Sequence, residues 1–283
     1  MSSQAPAAGS YVLIRNEAEI DRLNTQFNAW QTNIKYLLHP DIPVHDHMRL
    51  ADVGTGTGIW LRQLSEVLPK TCTLDGFDLS RAQFPDEKDL APNINFYIQD
   101  LREPFPQEFL GQYDAVNIRL MAVALSAHEF EPAVRNLMTL LKPGGYLQWA
   151  DCAAHRCAVE PSEKRHKAVE AEKLLLWFRD AVSSLGKTAE GLDQLLSTFQ
   201  KCGLRDCKEE IYKLEDPKSR ADVTSTVLQG CLHILTAALA LGKFDWLTSV
   251  DQVVQQKETA TKELEALGCW YCYDAHVIIG RKP

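Results

Sequence analysis

The chain has 283 residues, 45% of them hydrophobic and 24% charged, which suits one large α/β domain with additions and leaves ample material for a core. Its 30 Lys and Arg against 38 Asp and Glu give a formal charge of −8, so a partner whose phosphates must be neutralised is excluded as a first expectation. The eight cysteines are scattered, which argues for reduced thiols and a cytoplasmic protein over a secreted disulfide scaffold.

In chain order, residues 1–10, "MSSQAPAAGS", read as a disordered leader, since they hold neither a charged nor an apolar signal segment. Residues 11–48 form an N-terminal helical segment: Ile20, Leu23, Phe27, Trp30, Ile34, Leu37 and Leu38 recur at steps near three and four until "HPDIP" stops them. From Arg49 short apolar runs alternate with helical stretches, the mark of repeated βαβ units. Strands are expected at "RLADVG", "CTLDGFDLS", "INFYIQD", "YDAVNIRL" and "GYLQWAD", with helices at "IWLRQLSEVLP" and "EFEPAVRNLMTLL" and a turn at "KPGG" from Lys142 to Gly145. Residues 49–155 therefore make a Rossmann-like core. Residues 156–283 supply helices, including those at 162–186, 191–203, 219–242 and 249–268, and two late strands at "LRDCKEEIYKLE" and "CYDAHVIIGRK". The expected fold is a doubly wound, mostly parallel seven-stranded α/β sheet under an α-helical cap. The longest apolar stretch, "CLHILTAALALG", falls short of the roughly 18 consecutive apolar residues of a membrane span and contains His233.

The informative segment is "ADVGTGTG". A glycine-rich turn between a strand and a helix lets a ligand approach the backbone and the free N–H groups of the first turn. A dinucleotide loop would read G-x-G-x-x-G, whereas here Gly54, Gly56 and Gly58 alternate and Ile59 stands where the last glycine belongs. Asp52, just before the loop, would repel a pyrophosphate and suits an ammonium group. Asp78 ends the second strand twenty residues after Gly58, where a carboxylate accepts hydrogen bonds from ribose hydroxyls, and Asp100 ends the third, placed for an adenine amine. Amino groups, a ribose, an adenine and no phosphate describe S-adenosylmethionine.

These segments resemble the class I S-adenosylmethionine-dependent methyltransferases. "NIKYLLHPDIP", "ADVGTGTGIWL", "LSRAQFP" and "LLKPGGYLQW" are similar, more narrowly, to the fungal UMTA- and LaeA-like enzymes of secondary metabolism, over about residues 11–155. The resemblance implies that Gly54, Thr55, Gly56 and Gly58 line the methionine and ribose part with Asp52 near the amino group. Asp78 would hold the ribose, Leu79 would pack on the adenine, Asp100 and Leu101 would meet its amine edge, and Arg119 would pass close by. Tyr11 and Arg15 would close the site from the N-terminal segment. The same group includes pericyclases that use the sulfonium electrostatically, and regulators without a reaction; these stand as alternatives to methyl transfer onto O, N or S of a small metabolite.

Methyl transfer needs alignment, exclusion of water and, for a hydroxyl, a base. Met121, Ala122 and Val123 occupy the stretch where plant-type O-methyltransferases carry a histidine, so the catalytic candidates are His128 after the fourth strand and Asp151 with His155 after the fifth. No metal is expected: Cys269, Cys272 and His276 could begin a zinc site, but no second Cys/His pair follows. "NIRL" on the fourth strand lacks the loop of nucleic-acid amino-methylases, and with the negative charge it points to a small-molecule substrate, no nucleic acid, no membrane, and a monomer or homodimer.

Overall fold

The computed structural model describes residues 17–153, 156–160, 167–187 and 190–283. It begins with helix α1 (Glu17–Ile34), followed by β1 (Arg49–Val53), α2 (Ile59–Val67), β2 (Thr73–Asp78), β3 (Ile94–Ile98), β4 (Tyr113–Arg119), α3 (Phe130–Leu140) and β5 (Leu141–Cys152). Beyond lie β6 (Ala158–Glu160), α4 (Val169–Ser184), α5 (Glu190–Asp193), α6 (Leu195–Lys201), β7 (Arg205–Lys213), α7 (Arg220–Ala240), α8 (Val250–Leu267), β8 (Trp270–Cys272) and β9 (Asp274–Arg281).

Seven strands form one sheet in the order β3-β2-β1-β4-β5-β9-β7. β1 to β5 run parallel, and β9 is antiparallel to both of its neighbours. The order reverses between β1 and β4, and a sheet of this kind opens a crevice at the carboxyl ends of the strands where it reverses. The expected sheet is thus present, with two local differences. Lys142–Gly145 lies within β5 as an irregularity, because Leu141 pairs with Tyr113 while Tyr146 pairs with Ala115. A Cβ on Gly145 would stand 2.9 Å from the Tyr113 carbonyl, so the chain crosses β4 too closely there for a side chain. The second difference is a two-stranded ribbon of β6 and β8, too short to leave a sequence pattern.

Burial explains the layers. Phe130 and Trp149, stacked at 5.5 Å, anchor the face covered by α3 and α6. Trp60, Leu61 and Leu64 place α2 on the opposite face. Full burial of a large apolar side chain contributes roughly 1.5–3 kcal/mol, so each of these helices is held by its own stripe. The cap is a third core in which α7 packs against α1, α4 and α8. α7 is long and apolar enough to cross a membrane by length and composition. Counting consecutive apolar residues missed it because Thr226, Gly230 and His233 interrupt the run. Val223, Leu228, Cys231, Ile234, Leu235 and Ala238 are buried among cap helices, and that packing accounts for the composition.

Candidate active site

The alternate glycines answer to backbone geometry. Gly54, Gly56 and Gly58 have φ of 70°, 55° and 66°, the left-handed region where a Cβ is disfavoured. The N–H groups of Gly54 and Thr55 both donate to the Phe77 carbonyl, at 2.8 and 3.0 Å, which folds the loop over the end of β2. Gly58 caps α2, and a Cβ there would meet Phe96 Cζ at 2.4 Å.

Below the loop a row of buried polar groups crosses the sheet in register. Asp52 pairs with Asn117 across β1 and β4, and Asn117 with Gln148 across β4 and β5. Thr55 Oγ1 donates to Asp52 at 2.8 Å, Asn117 Nδ2 donates to Asp52 at 2.7 Å, and Gln148 Nε2 donates to Asn117 Oδ1 at 2.9 Å. Gln148 Oε1 then accepts from the His39 backbone N–H at 2.7 Å. Burial raises the Asp52 pKa, opposed by Arg119, Thr55 and Asn117. Asp52 therefore stands under the loop, holding Thr55, and Gly58 caps α2 at the loop's end.

Above the loop opens a first cavity of about 1090 Å³, its mouth included. Gly54, Thr55, Gly56, Asp78, Leu79, Asp100, Leu101 and Arg119, eight of the expected residues, share its wall. Asp78 accepts from the Gly56 N–H at 3.0 Å and the Ser80 N–H at 3.1 Å, so the same carboxylate that faces the cavity fixes the loop. Asp100 is clasped by Arg102, with Nη2 at 2.8 Å and Nε at 3.0 Å; burial pushes its pKa up, and the guanidinium more than reverses this. The Arg119 guanidinium lies 4.6 Å from the Phe27 ring centre. Burial lowers its pKa and the Asp52 carboxylate opposes that shift. The Gln83 Nε2 group, in the same wall, is buried with no hydrogen-bond partner among the described residues.

A second cavity of about 830 Å³ adjoins the first, and Leu23 of α1 and Leu120 belong to both walls. Leu120 is a non-glycine residue in the left-handed region, φ 58°, held by its N–H to the Ala150 carbonyl at 2.9 Å. Such a conformation costs roughly 1–2 kcal/mol and persists only where the surroundings impose it. Phe178, Ile234, Cys152, Cys157 and Cys231 make this cavity largely apolar. Burial pushes the Cys231 thiol up to about 12, and Cys152 and Cys157 upward as well, so these thiols are neutral.

Asp151, fully buried, also borders the second cavity. It accepts from the Met121 N–H at 2.8 Å, Trp149 Nε1 at 3.0 Å and the Cys152 N–H at 2.8 Å, with a further bond from the Ala122 N–H. Burial raises its pKa to about 6 against these donors. Four donors surround the carboxylate, so Asp151 tethers the segment after β4 to β5.

His128 lies apart. It is exposed in a short 3₁₀ turn, Ala127–Glu129, within a capping box of Ser126 and Glu129, and it lines neither cavity. The Ser-x-x-Glu pattern around it is a helix-start signal. Tyr11, Arg15 and His155 lie outside the described residues. Of the metal candidates, His276 Nδ1 is 2.7 Å from Glu209 and Cys272 Sγ 3.3 Å from the Leu214 carbonyl, so they serve separate local contacts. Sequence reasoning missed Phe27 and Gln83 in the first cavity and Arg22 and Gln26 in the second. The α1 stripe carried part of that signal, since Arg22 and Gln26 each precede a stripe residue by one position.

Comparison with known proteins agrees with this geometry. Residues 50–145 match a family model described as a methyltransferase domain. The chain is 29% identical to methyltransferase grgD of a Penicillium species over the full length of both. It is 28% identical to N-methyltransferase tcpN of Claviceps purpurea, covering 71% of this chain and 70% of that one, and 29% identical to N-methyltransferase gliN of Aspergillus fumigatus, covering 82% and 83%. Among solved structures, a phosphoethanolamine N-methyltransferase of Haemonchus contortus shares the fold at a TM-score of 0.55 and 17% identity, over 94% of this chain and 58% of that one. Glycine cradle, strand-end acids and relatives converge: residues 50–145 carry a methyltransferase domain, and the chain is similar over its full length to a fungal methyltransferase.

Proposed function

We propose that the chain methylates a nitrogen of a small specialised metabolite seated in the second cavity. The observation that carries this reading is the meeting of the two cavities at Leu23 and Leu120. The first cavity fits the cofactor by the left-handed glycines at its floor and by the unpartnered Gln83 Nε2 in its wall. Gly54, Thr55 and Gly56 would carry its methionine and ribose portion, Asp78 the ribose hydroxyls, Asp100, Leu79 and Leu101 the adenine, and Arg119 would add positive charge close to the loop. When bound, S-adenosylmethionine supplies a methyl carbon activated by a positively charged sulfur leaving group.

The protein's share of the reaction is alignment and exclusion of water. Leu23 and Leu120 form an apolar passage, and the Asp151 tether fixes Met121, on the first cavity's wall, and Ala122, on the second. A neutral amine attacks through its own lone pair, which suits a site whose carboxylate is surrounded by four donors. The N-methyltransferase names of two relatives favour nitrogen over oxygen or sulfur. We place the protein in the cytoplasm as a monomer or homodimer acting on a free small molecule, away from nucleic acid and membrane; the charge of −8 and eight unpaired cysteines support this.

Calorimetric titration with S-adenosylmethionine and S-adenosylhomocysteine, followed by transfer of a labelled methyl group into fungal metabolite extracts, tests the reading. Binding of both with label recovered on nitrogen is expected. Failure to bind either overturns it.

A further inference from the structure

Gly230 sits in the interior of α7, and a Cβ placed on it would meet nothing within 4 Å. Gly111, Gly186, Gly203 and Gly242 also have empty space around them, but each has positive φ, so the backbone explains them. Gly230 has no such reason. A glycine within a helix is a poor choice compared with alanine, since it raises the entropy lost on folding and packs nothing. Its neighbours show where the space lies: Thr226, Val227, Cys231 and Ile234 line the second cavity with it, a single face of α7 with Gly230 at its middle.

The charged groups of that cavity are already satisfied. Arg22 donates Nε and Nη2 to Glu19, both at 2.7 Å, and Nη1 to Gln26 at 3.2 Å. Asp151 holds its four donors. What remains is an apolar surface of Leu175, Phe178, Ile234 and neutral thiols.

Resting on the methyltransferase reading above, we infer that Gly230 is a specificity-determining residue: its missing side chain makes room for an uncharged, largely apolar acceptor lying against the exposed backbone of α7. Any larger residue fills the place of the acceptor and leaves the first cavity, which α7 does not line, unchanged.

The test uses the neutral naphthalene dye prodan and its anionic counterpart anilinonaphthalene sulfonate as probes, with the wild-type chain, Gly230→Ala and Gly230→Leu, each saturated with S-adenosylhomocysteine. Wild type is expected to bind prodan at least tenfold more tightly than the anionic dye. Gly230→Leu should lose prodan affinity at least tenfold while binding S-adenosylhomocysteine within twofold of wild type. Gly230→Ala should weaken prodan less and raise the melting temperature by about 2 °C, which a helix freed of its glycine predicts. It also keeps the test decisive if the leucine variant fails to fold, since a folded alanine variant with unchanged prodan affinity would count against the idea. Equal prodan binding by wild type and Gly230→Leu overturns the inference, as does absent prodan binding by wild type or a preference for the anion. Failure of wild type to bind S-adenosylhomocysteine strikes at the cofactor reading instead, and is scored separately from the dye.

Discussion

Gly58→Ala places two separable penalties on one atom. With φ at 66°, an alanine pays the left-handed backbone cost of roughly 1–2 kcal/mol. Its Cβ also enters the Phe96 ring, 2.4 Å from Cζ and 2.8 Å from Cε1, an overlap that forces displacement worth roughly 1–3 kcal/mol. The substitution should therefore destabilise the fold by about 2–5 kcal/mol, a large part of the stability of an ordinary domain. Phe96→Ala removes the ring, so in that background only the backbone part should remain. Urea unfolding of the wild type, both single variants and the double variant gives the coupling energy directly. We expect about 1–3 kcal/mol. Coupling below about 0.5 kcal/mol would refute the claim that Phe96 excludes a side chain there, and a total cost of Gly58→Ala under about 1 kcal/mol would refute the backbone argument too.

Three further outcomes follow from the site. Asp78→Ala removes a carboxylate that holds the Gly56 N–H, an interaction of roughly 1.5–3 kcal/mol, so affinity for S-adenosylhomocysteine should fall about 10- to 100-fold by calorimetry; unchanged affinity would detach Asp78 from the cofactor. Burial raises Asp151 from its ordinary 3.8 to about 6, so the folded state binds that proton more tightly than the unfolded chain, and the stability this contributes is full below about pH 3.8 and lost as pH rises through about 6. A shift of that size corresponds to about 3 kcal/mol, and the wild-type stability minus that of Asp151→Asn, measured by urea at pH 4 and pH 7.5, should drop by that order; a flat difference would contradict the buried carboxylate. Glu19, fully buried, holds Arg22 through two oxygens and lies 3.3 Å from His233, so Glu19→Ala strands a mostly buried cation and should cost about 3–5 kcal/mol in chemical unfolding, whereas Glu19→Gln should cost less.

Sequence periodicity conveyed the sheet because each parallel strand is a short apolar run between amphipathic helices, and the strand-end acids stood out because they close the second and third of those runs, just after the glycine loop. Asp78 and Asp100 were legible for that reason. Asp52 was legible as an acid but not as a buried one, since its role depends on the register that sets Asn117 beside it, sixty-five residues away. Leu120 gave no sign at all, because a leucine in the left-handed region reads like any other apolar residue at a strand end. The second cavity was invisible for a different reason: α1, α4, α7, β5 and the link between β8 and β9 at Tyr273 each contribute one or a few ordinary residues, and only the fold assembles them. His128 shows the converse, a chemically suggestive residue whose neighbours Ser126 and Glu129 already described a helix cap.

The seam at Leu23 and Leu120 divides the molecule by inheritance as well as by space. The stretch that matches the methyltransferase domain, residues 50–145, furnishes most of the donor side, while Leu175, Phe178, Gly230, Ile234 and Tyr273 on the far side all come later in the chain. With the acceptor seated as proposed, a lineage can exchange one metabolite for another by substitutions in α4 and α7 while its methyl donor stays the same. Divergence among relatives with different products should accumulate on those two helices, and the glycine loop should record their common descent.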